Sequence, residues 1–351
     1  MRPRAFHIQR LLRPDFGVDL GTACTRIVAP GAGILLEEPT LVAVRRGSRS
    51  VLGGGDAVGY MAKVMQGRAP ESIQTIVPVR RGVVADVEVA QALLDTLLRK
   101  ARPRSWSLKP RVLVAVPADI TPVERQATLV TVGRAGASRV FVVAKLLAAG
   151  LGAGLPLNQP VASLICDIGA GSTEIAVLSM GEIAVTESVR VAGDDLTRAV
   201  ADHLRRRHKL HVGDQMAERI KIEIGAAATL DGELTMDVSG RDAVSGMPRK
   251  MPLSSAEVID ALRDPLRTIV DAVERTLERC PPELAADLME NGMLLCGGSA
   301  QVRGLDRRLA ESTGMPVRVA QEPTTCVARG LAICLEHLEI WHTLIQSRVA
   351  A

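Results

Sequence analysis

Short apolar runs closed by small polar residues alternate along this chain with longer stretches whose apolar positions recur at helical spacing. The first kind reads as strands and the second as amphipathic helices, so the alternation predicts an α/β fold. Phe16 to Leu20 is one such run, carrying Asp19 near its end; the turn Gly21-Thr-Ala-Cys-Thr25 leads into a second strand, Arg26 to Ala29. Pro30-Gly-Ala-Gly33 turns the chain again, and Ile34 to Leu36 returns. Further on, Leu164 to Cys166 ends on Asp167, a polar turn of Gly169, Ala170, Gly171, Ser172 and Thr173 follows, and Ile175 to Leu178 is the second strand. Asp19-x-Gly21-x-x-x-Thr25 thus matches Asp167-x-Gly169-x-x-x-Thr173 at a constant offset, since 167 − 19 and 173 − 25 both give 148. A repeated strand-turn-strand hairpin implies two similar halves facing one another across a cleft.

The pattern predicts other elements on the same grounds. Helices are expected at Tyr60 to Gln66, at Val89 to Lys100 (apolar at Ala90, Leu93, Leu94, Leu97 and Leu98), and at Pro122 to Gly133 behind the N-cap Thr121. Further helices are expected at Ala144 to Leu151, at Leu196 to His208 opened by Gly193-Asp-Asp195, and at Met216 to Gly225. Strands are expected at Val112 to Val116, Val140 to Val143, Glu182 to Val191, Thr229 to Val238 and Lys250 to Leu253, the last two around a polar loop. Ser254-Ser-Ala-Glu257 reads as a capping box opening a long helix to about Cys280, and Pro281-Pro282 restarts a shorter one. Gly292 to Ala300 is a strand delivering a glycine pair to a helix start, and Ala328 to Gln346 is a closing helix with Trp341 and Leu344 on its apolar side.

Composition narrows the picture. A chain of 351 residues suggests two or more domains. A net charge of +4 with no long basic block, and only 2% aromatic residues, give no footing for nucleic acid as a partner. The six cysteines (24, 166, 280, 296, 326 and 334) are scattered, several within apolar runs, which predicts buried, reduced thiols in a cytoplasmic protein. His203, His208 and His211 show no metal-ligand spacing and read as solvated side chains. No stretch reaches the roughly 18 apolar residues of a spanning helix. Residues 1–14 are a basic leader in which Phe6, Ile8, Leu11 and Leu12 lie among arginines, either an amphipathic element on an anionic bilayer or a disordered segment. Trp106 and Leu108, in a loop rich in Lys and Arg, are a second candidate membrane anchor, with packing beneath the loop as the alternative.

The repeated turns carry the candidate chemistry. Glycines let backbone N–H groups approach phosphate oxygens, Ser and Thr hydroxyls add donors, and an aspartate at the strand end suits a hydrated cation. The Gly297-Gly298 bend allows a close backbone approach to a phosphate or a flat ring.

Together these segments resemble the superfamily of actin, heat-shock chaperone and sugar-kinase ATPases, most nearly the MreB/Mbl family of bacterial actin homologues, from about residue 15 to 339. The carrying segments are Val18-Asp-Leu-Gly-Thr-Ala-Cys-Thr25, Asp167-Ile-Gly-Ala-Gly-Ser-Thr-Glu174, Ala217-Glu-Arg-Ile-Lys-Ile-Glu-Ile-Gly225, Ser239-Gly-Arg-Asp242 with Gly246-Met-Pro-Arg249, Cys280-Pro-Pro-Glu-Leu-Ala285 and Leu295-Cys-Gly-Gly-Ser-Ala300. The resemblance implies an actin-like ATPase fold of two duplicated, ribonuclease-H-like α/β domains around a nucleotide cleft. Residues 15–157 and 326–351 would form domain I, with a small subdomain at roughly 43–86; residues 158–325 would form domain II, with one at roughly 193–256. By resemblance, Thr22, Ala23 and Cys24 form one phosphate loop and Ala170, Gly171 and Ser172 the other. Glu218, Arg219, Ile220 and Lys221, with Gly297, Gly298, Ser299 and Ala300, would enclose the adenosine of ATP, and Asp19 and Asp167 would face Mg²⁺ through water. The partners implied are further copies in a filament, the inner face of the cytoplasmic membrane and the cell-wall elongation machinery.

The chain departs from the family pattern where hydrolysis is concerned. The family's Glu-Glu-Pro at a strand-to-helix junction is replaced by Ala144, Lys145 and Leu146. A carboxylate accepts a proton from an attacking water and an ammonium does not. Ala170 and Cys24 stand where the family has Gly and Asn. The expectation is an ATP-binding, membrane-peripheral filament that organises cell-wall synthesis with weak or absent hydrolysis. The alternatives are a paralogue regulating a standard filament and a small-molecule kinase; a chaperone would need a substrate domain after the ATPase core.

Overall fold

The computed structural model describes residues 15–102, 108–341 and 345–348. The chain divides into two compact units, residues 1–157 with 325–351, and residues 158–324.

The first unit opens with β1 (Phe16–Leu20), β2 (Cys24–Ala29) and β3 (Gly33–Pro39), an antiparallel meander in which Leu20 pairs with Thr25. β1 is buried along its whole length, Asp19 included, as befits a central strand. Small elements follow: β4 (Val42–Arg45), helix α1 (Tyr60–Met65), β5 (Ile73–Ile76), β6 (Val79–Arg80) and β7 (Val83–Val84). Helix α2 (Val87–Ala101) begins two residues before the expected start, because the Asp86 carboxylate accepts the Val89 N–H at 3.2 Å and fixes the N-terminus there. β8 (Arg111–Val116), α3 (Pro122–Arg134), β9 (Arg139–Ala144) and α4 (Lys145–Gly152) complete this stretch. Thr121 and Glu124 form a reciprocal capping box at α3.

The second unit repeats the plan. β10 (Ser163–Ile168), β11 (Thr173–Ser179) and β12 (Glu182–Val189) form the meander, with Ile168 opposite Thr173. Next come α5 (Gly193–His208), β13 (Leu210–His211), α6 (Asp214–Ile224), β14 (Thr235–Asp242), β15 (Pro248–Ser254), α7 (Ser255–Glu278), α8 (Pro282–Asn291), β16 (Met293–Cys296), α9 (Leu305–Thr313) and β17 (Val317–Val319). The sheet order is β12-β11-β10-β16-β17, with β16 and β17 parallel to β10. Leu196, Ile220 and Leu262, on the amphipathic faces of α5, α6 and α7, share one buried core with the strand residues Leu164, Ile175 and Leu295.

The chain then returns to the first unit with α10 (Cys326–Glu336), α11 (Leu338–Trp341) and β18 (Gln346–Arg348). The first sheet runs β18-β9-β8-β1-β2-β3, so its five strands other than β18 reproduce the order of the second sheet. α10 crosses α4 at backbone distance: a Cβ on Gly152 would lie 1.9 Å from the Cys326 carbonyl oxygen, and one on Gly330 would lie 1.7 Å from that of Ala148.

Three expectations are corrected. The strand expected at Thr229 to Val238 is β14, starting at Thr235 and running on to Asp242. Ala227 is instead held to the start of α9 through its N–H to the Arg303 carbonyl, 2.7 Å, and Gly240 admits the His211 backbone, extending the pairing. The capping box at Ser254 does not form, because Ser254 makes no side-chain cap and Glu257 is drawn to His208 Nε2, 2.6 Å away. The closing helix ends at Glu336; His337 leaves the helical region (φ −119°, ψ 48°), and Gln346–Arg348 pairs antiparallel with β9. Trp341 is half-buried at the end of α11, and Leu344 lies outside the described residues.

Candidate functional site

The turns of the two hairpins close identically. Gly21 N–H donates to the Cys24 carbonyl at 3.1 Å, and Gly169 N–H donates to the Ser172 carbonyl at 3.0 Å, the same bond displaced by 148 residues. In the second unit this turn is fixed from two sides. The first amides of α5 donate to it, Gly193 N–H to the Gly169 carbonyl (3.1 Å) and Asp194 N–H to that of Ala170 (2.8 Å), while Ser299 Oγ donates to the Gly169 carbonyl (2.9 Å). Helix-start amides lack intrahelical acceptors, so the turn supplies what α5 needs and is positioned by it. Ala170 is not among the residues with positive φ, so a side chain sits there without strain.

Asp167, at the end of β10, is 3% exposed. Gly297 lies directly over it at φ +85°, where a Cβ would approach Asp167 Oδ1 to 2.3 Å. Beside the start of α5, the buried Lys221 ammonium donates to the Gly193 carbonyl (3.1 Å) and pairs with Glu218 (2.7 Å). Thr197 Oγ1 lies within hydrogen-bond reach of both the Glu218 carboxylate and the Gly193 carbonyl (2.9 Å), which share its single hydroxyl proton. Burial raises the Asp194 carboxyl above its ordinary value, opposed by the charge of Lys221.

The fold therefore gathers Asp167, the 170–172 turn, Glu218, Lys221 and the 297–299 bend around the start of α5. Two neighbours on α6 point elsewhere: Ile220 is in the core, and Arg219 pairs outward with Glu223 at 2.6 Å. Ala300 is likewise in the core. Sequence reasoning missed Thr197 and Asp194, treating Gly193-Asp-Asp195 only as a helix start. The usable signal was two acidic residues followed by a threonine, one helical turn apart on a segment beginning with glycine.

In the first unit, Thr22 Oγ1 accepts the Gly82 N–H at 3.2 Å, and the carbonyl of the exposed Ala23 accepts the Thr40 N–H at 3.0 Å. Thr40 Oγ1 donates to the Gly21 carbonyl (2.7 Å) and so accepts from Thr25 Oγ1 (2.8 Å). Asp19 is buried, with the Arg26 guanidinium 3.5 Å away; Arg26 also reaches Glu37 at 3.1 Å. The Cys24 thiol contacts the Glu38 carbonyl at 3.3 Å, and burial pushes its pKa up to about 12. At the junction after β9, Ala144 and Lys145 are half-buried and Leu146 is in the core; the first turn of α4 contains no acidic residue.

Of the candidate membrane residues, Leu108 is 81% exposed, and Phe6, Ile8, Leu11, Leu12 and Trp106 lie outside the described residues. Among the described residues no helix is long and apolar enough to cross a membrane.

The model of the MreB/Mbl protein family matches residues 13–343. The chain belongs to the MreB/Mbl family. The cell shape-determining protein MreB of Escherichia coli K12 is 44% identical over 327 residues, spanning 93% of this chain and 94% of the relative. The cell shape-determining protein Mbl of Bacillus subtilis is 39% identical over 325 residues, spanning 93% and 96%. Among solved structures, MreB5 of Spiroplasma citri bound to AMPPNP superposes with a TM-score of 0.88 at 33% identity, covering 95% of this chain and 98% of that one. A MamK double helical filament superposes at 0.74 with 21% identity, a likeness of fold. The fold of this MreB/Mbl-family chain is the two-domain actin-like fold expected from the family resemblance.

Proposed function

We propose that this protein binds ATP and assembles with copies of itself into actin-like filaments on the inner face of the cytoplasmic membrane, where they organise cell-wall synthesis and cell shape. The observation that carries the reading is the twice-repeated hairpin with one turn closure, joined in the second unit to Glu218, Lys221 and the Gly297 bend. The carbonyl side of the 169–172 turn is engaged by α5 and Ser299, so its amide side is the one to offer a phosphate. Thr22, Ala23 and Cys24 contribute the corresponding turn of the first unit. Family relatives named for determining cell shape, and a nucleotide-bound structural neighbour, support the same reading.

Mg²⁺ fits the second hairpin, where Asp167 and Glu174 are buried carboxylates directly across the strand pair, an oxygen donor set suited to a hard cation. Bound there, the ion would offset phosphate charge. Asp19 suits the cation less well, because Arg26 already faces it.

Hydrolysis is weak or absent in this reading. Lys145 opens α4, and the first turn of that helix holds no carboxylate to accept a proton from water. Incubating the full chain with ATP and following light scattering and phosphate release together tests both parts. Reversible, ATP-dependent scattering with little phosphate release is expected, and Lys145→Glu is expected to raise the release. Phosphate transfer to sugars without assembly would replace the filament with a kinase, and turnover by the unaltered chain matching a standard family member would overturn the hydrolysis claim. Sedimentation with anionic liposomes tests the membrane arm: binding unchanged after removing residues 1–14 and replacing Trp106 and Leu108 would exclude both anchors.

A further inference from the structure

Away from the phosphate turns, the last turns of α5 and the first turn of α7 bring together side chains that the sequence separates. His203 and His208 stand on α5, and Glu257 stands on α7. Glu257 Oε2 lies 2.6 Å from His208 Nε2 and 4.0 Å from His203 Nε2, so both imidazoles aim the same ring nitrogen at one carboxylate oxygen. The three ligand atoms lie within 4.8 Å of one another. His203 Nε2 is buried and has no hydrogen-bond partner among the described residues, an orphaned polar atom of the kind folded proteins seldom leave. His211, the third histidine of this stretch, is exposed on β13 and outside the cluster.

We infer that His203, His208 and Glu257 form a binding site for a borderline divalent transition metal ion such as Zn²⁺. Two imidazole nitrogens and one carboxylate oxygen are the donors such ions prefer, whereas Mg²⁺ and Ca²⁺ take oxygen-rich sets. Ligand bonds of about 2.0–2.1 Å in tetrahedral geometry place ligand atoms about 3.3 Å apart. The 2.6 Å contact would widen and the 4.0 Å contact close by about 0.7 Å each, adjustments within side-chain rotation. The ion takes the place of the proton between His208 and Glu257 and gives His203 Nε2 a partner. The fourth position is left to water, since Glu257 and His208 retain 28% and 20% side-chain exposure.

The charged surroundings are mixed. The exposed Arg207 guanidinium is 3.7 Å from the same Glu257 oxygen and opposes a cation, and Asp260 favours one. Arg249 reaches the His208 carbonyl but pairs with Asp242. A bound ion would tie the end of α5 to the start of α7, bracketing the β14–β15 hairpin between them in the sequence.

The test is titration of Zn²⁺ into the chelator-stripped full chain without nucleotide, by calorimetry, with Co²⁺ absorption as a spectroscopic readout of coordination. One equivalent of tight binding is expected. His208→Gln, which keeps an amide donor for Glu257, and Glu257→Gln should each weaken it by more than the 10–100-fold typical of losing an outer-sphere partner. His211→Gln should leave it unchanged. Arg207→Ala, a change at an exposed residue that spares the fold, should tighten it several-fold, and excess Mg²⁺ should not displace the ion. Circular dichroism of the stripped variants separates loss of site from loss of fold. No one-equivalent binding by the unaltered chain, or binding that both His208→Gln and Arg207→Ala leave unmoved, overturns the assignment.

Discussion

The first and second hairpins share the same turn closure and the same order of sheet neighbours, yet the residue directly across the strand pair from the aspartate differs in sign. Asp19 pairs across the strands with Arg26; 148 residues later, Asp167 pairs across with Glu174. Opposite charges directly across an antiparallel pair stabilise it, and like charges do the reverse. The first hairpin thus sets a guanidinium, and the second a carboxylate, directly opposite its aspartate across the strands.

Removing the internal cation tests this most severely. Arg26→Met removes the buried guanidinium that reaches both Asp19 and Glu37 and is expected to cost about 3–5 kcal/mol, the range for breaking a buried pair. Adding Asp19→Asn should recover much of the loss in urea unfolding of the full chain; no recovery would mean that Arg26 acts by packing rather than charge. Next is Gly297→Ala, which meets both a positive φ and the Asp167 carboxylate and should cost on the order of 3 kcal/mol. The matched glycines then separate the two turns. A Cβ at Gly21 would lie 2.7 Å from the Cys24 carbonyl oxygen, against 3.2 Å from that of Ser172 for Gly169. Gly21→Ala is expected to cost about 1–3 kcal/mol and Gly169→Ala under about 1 kcal/mol, and equal midpoints would erase that distinction. The smallest effect is chemical. At pH 8 a thiol with pKa about 12 is ionised to roughly one part in ten thousand, so Cys24 should react with iodoacetamide far more slowly than a model thiol, as peptide mapping by mass spectrometry would show.

Much of this was legible because it is local. The turn residues, the offset of 148 and the strand runs lie close together in the sequence, and they suffice for the α/β duplication and for Asp19 and Asp167 as strand-end carboxylates. What stayed hidden depends on partners distant in sequence. Ser254 and Glu257 have the spacing of a capping box, but His208, 49 residues earlier, competes for the glutamate. The closing helix looked continuous because Trp341 and Leu344 keep its periodicity; its end at His337 and the strand beyond depend on the open edge of β9. Thr197 was invisible because only α6, arriving later in the chain, gives its hydroxyl a reason to matter.

The first unit also has a history in time. Its sheet is finished by β18 on β9, and α10 packs glycine to glycine on α4, yet these pieces are made only after the whole second unit. During synthesis the second unit is complete first, while β9 waits with an unpaired edge and α4 with a bare glycine face. Such an edge invites pairing with other chains. The older part of the chain is therefore the last to close, and the edge of β9 is covered only once residues 346–348 have been made.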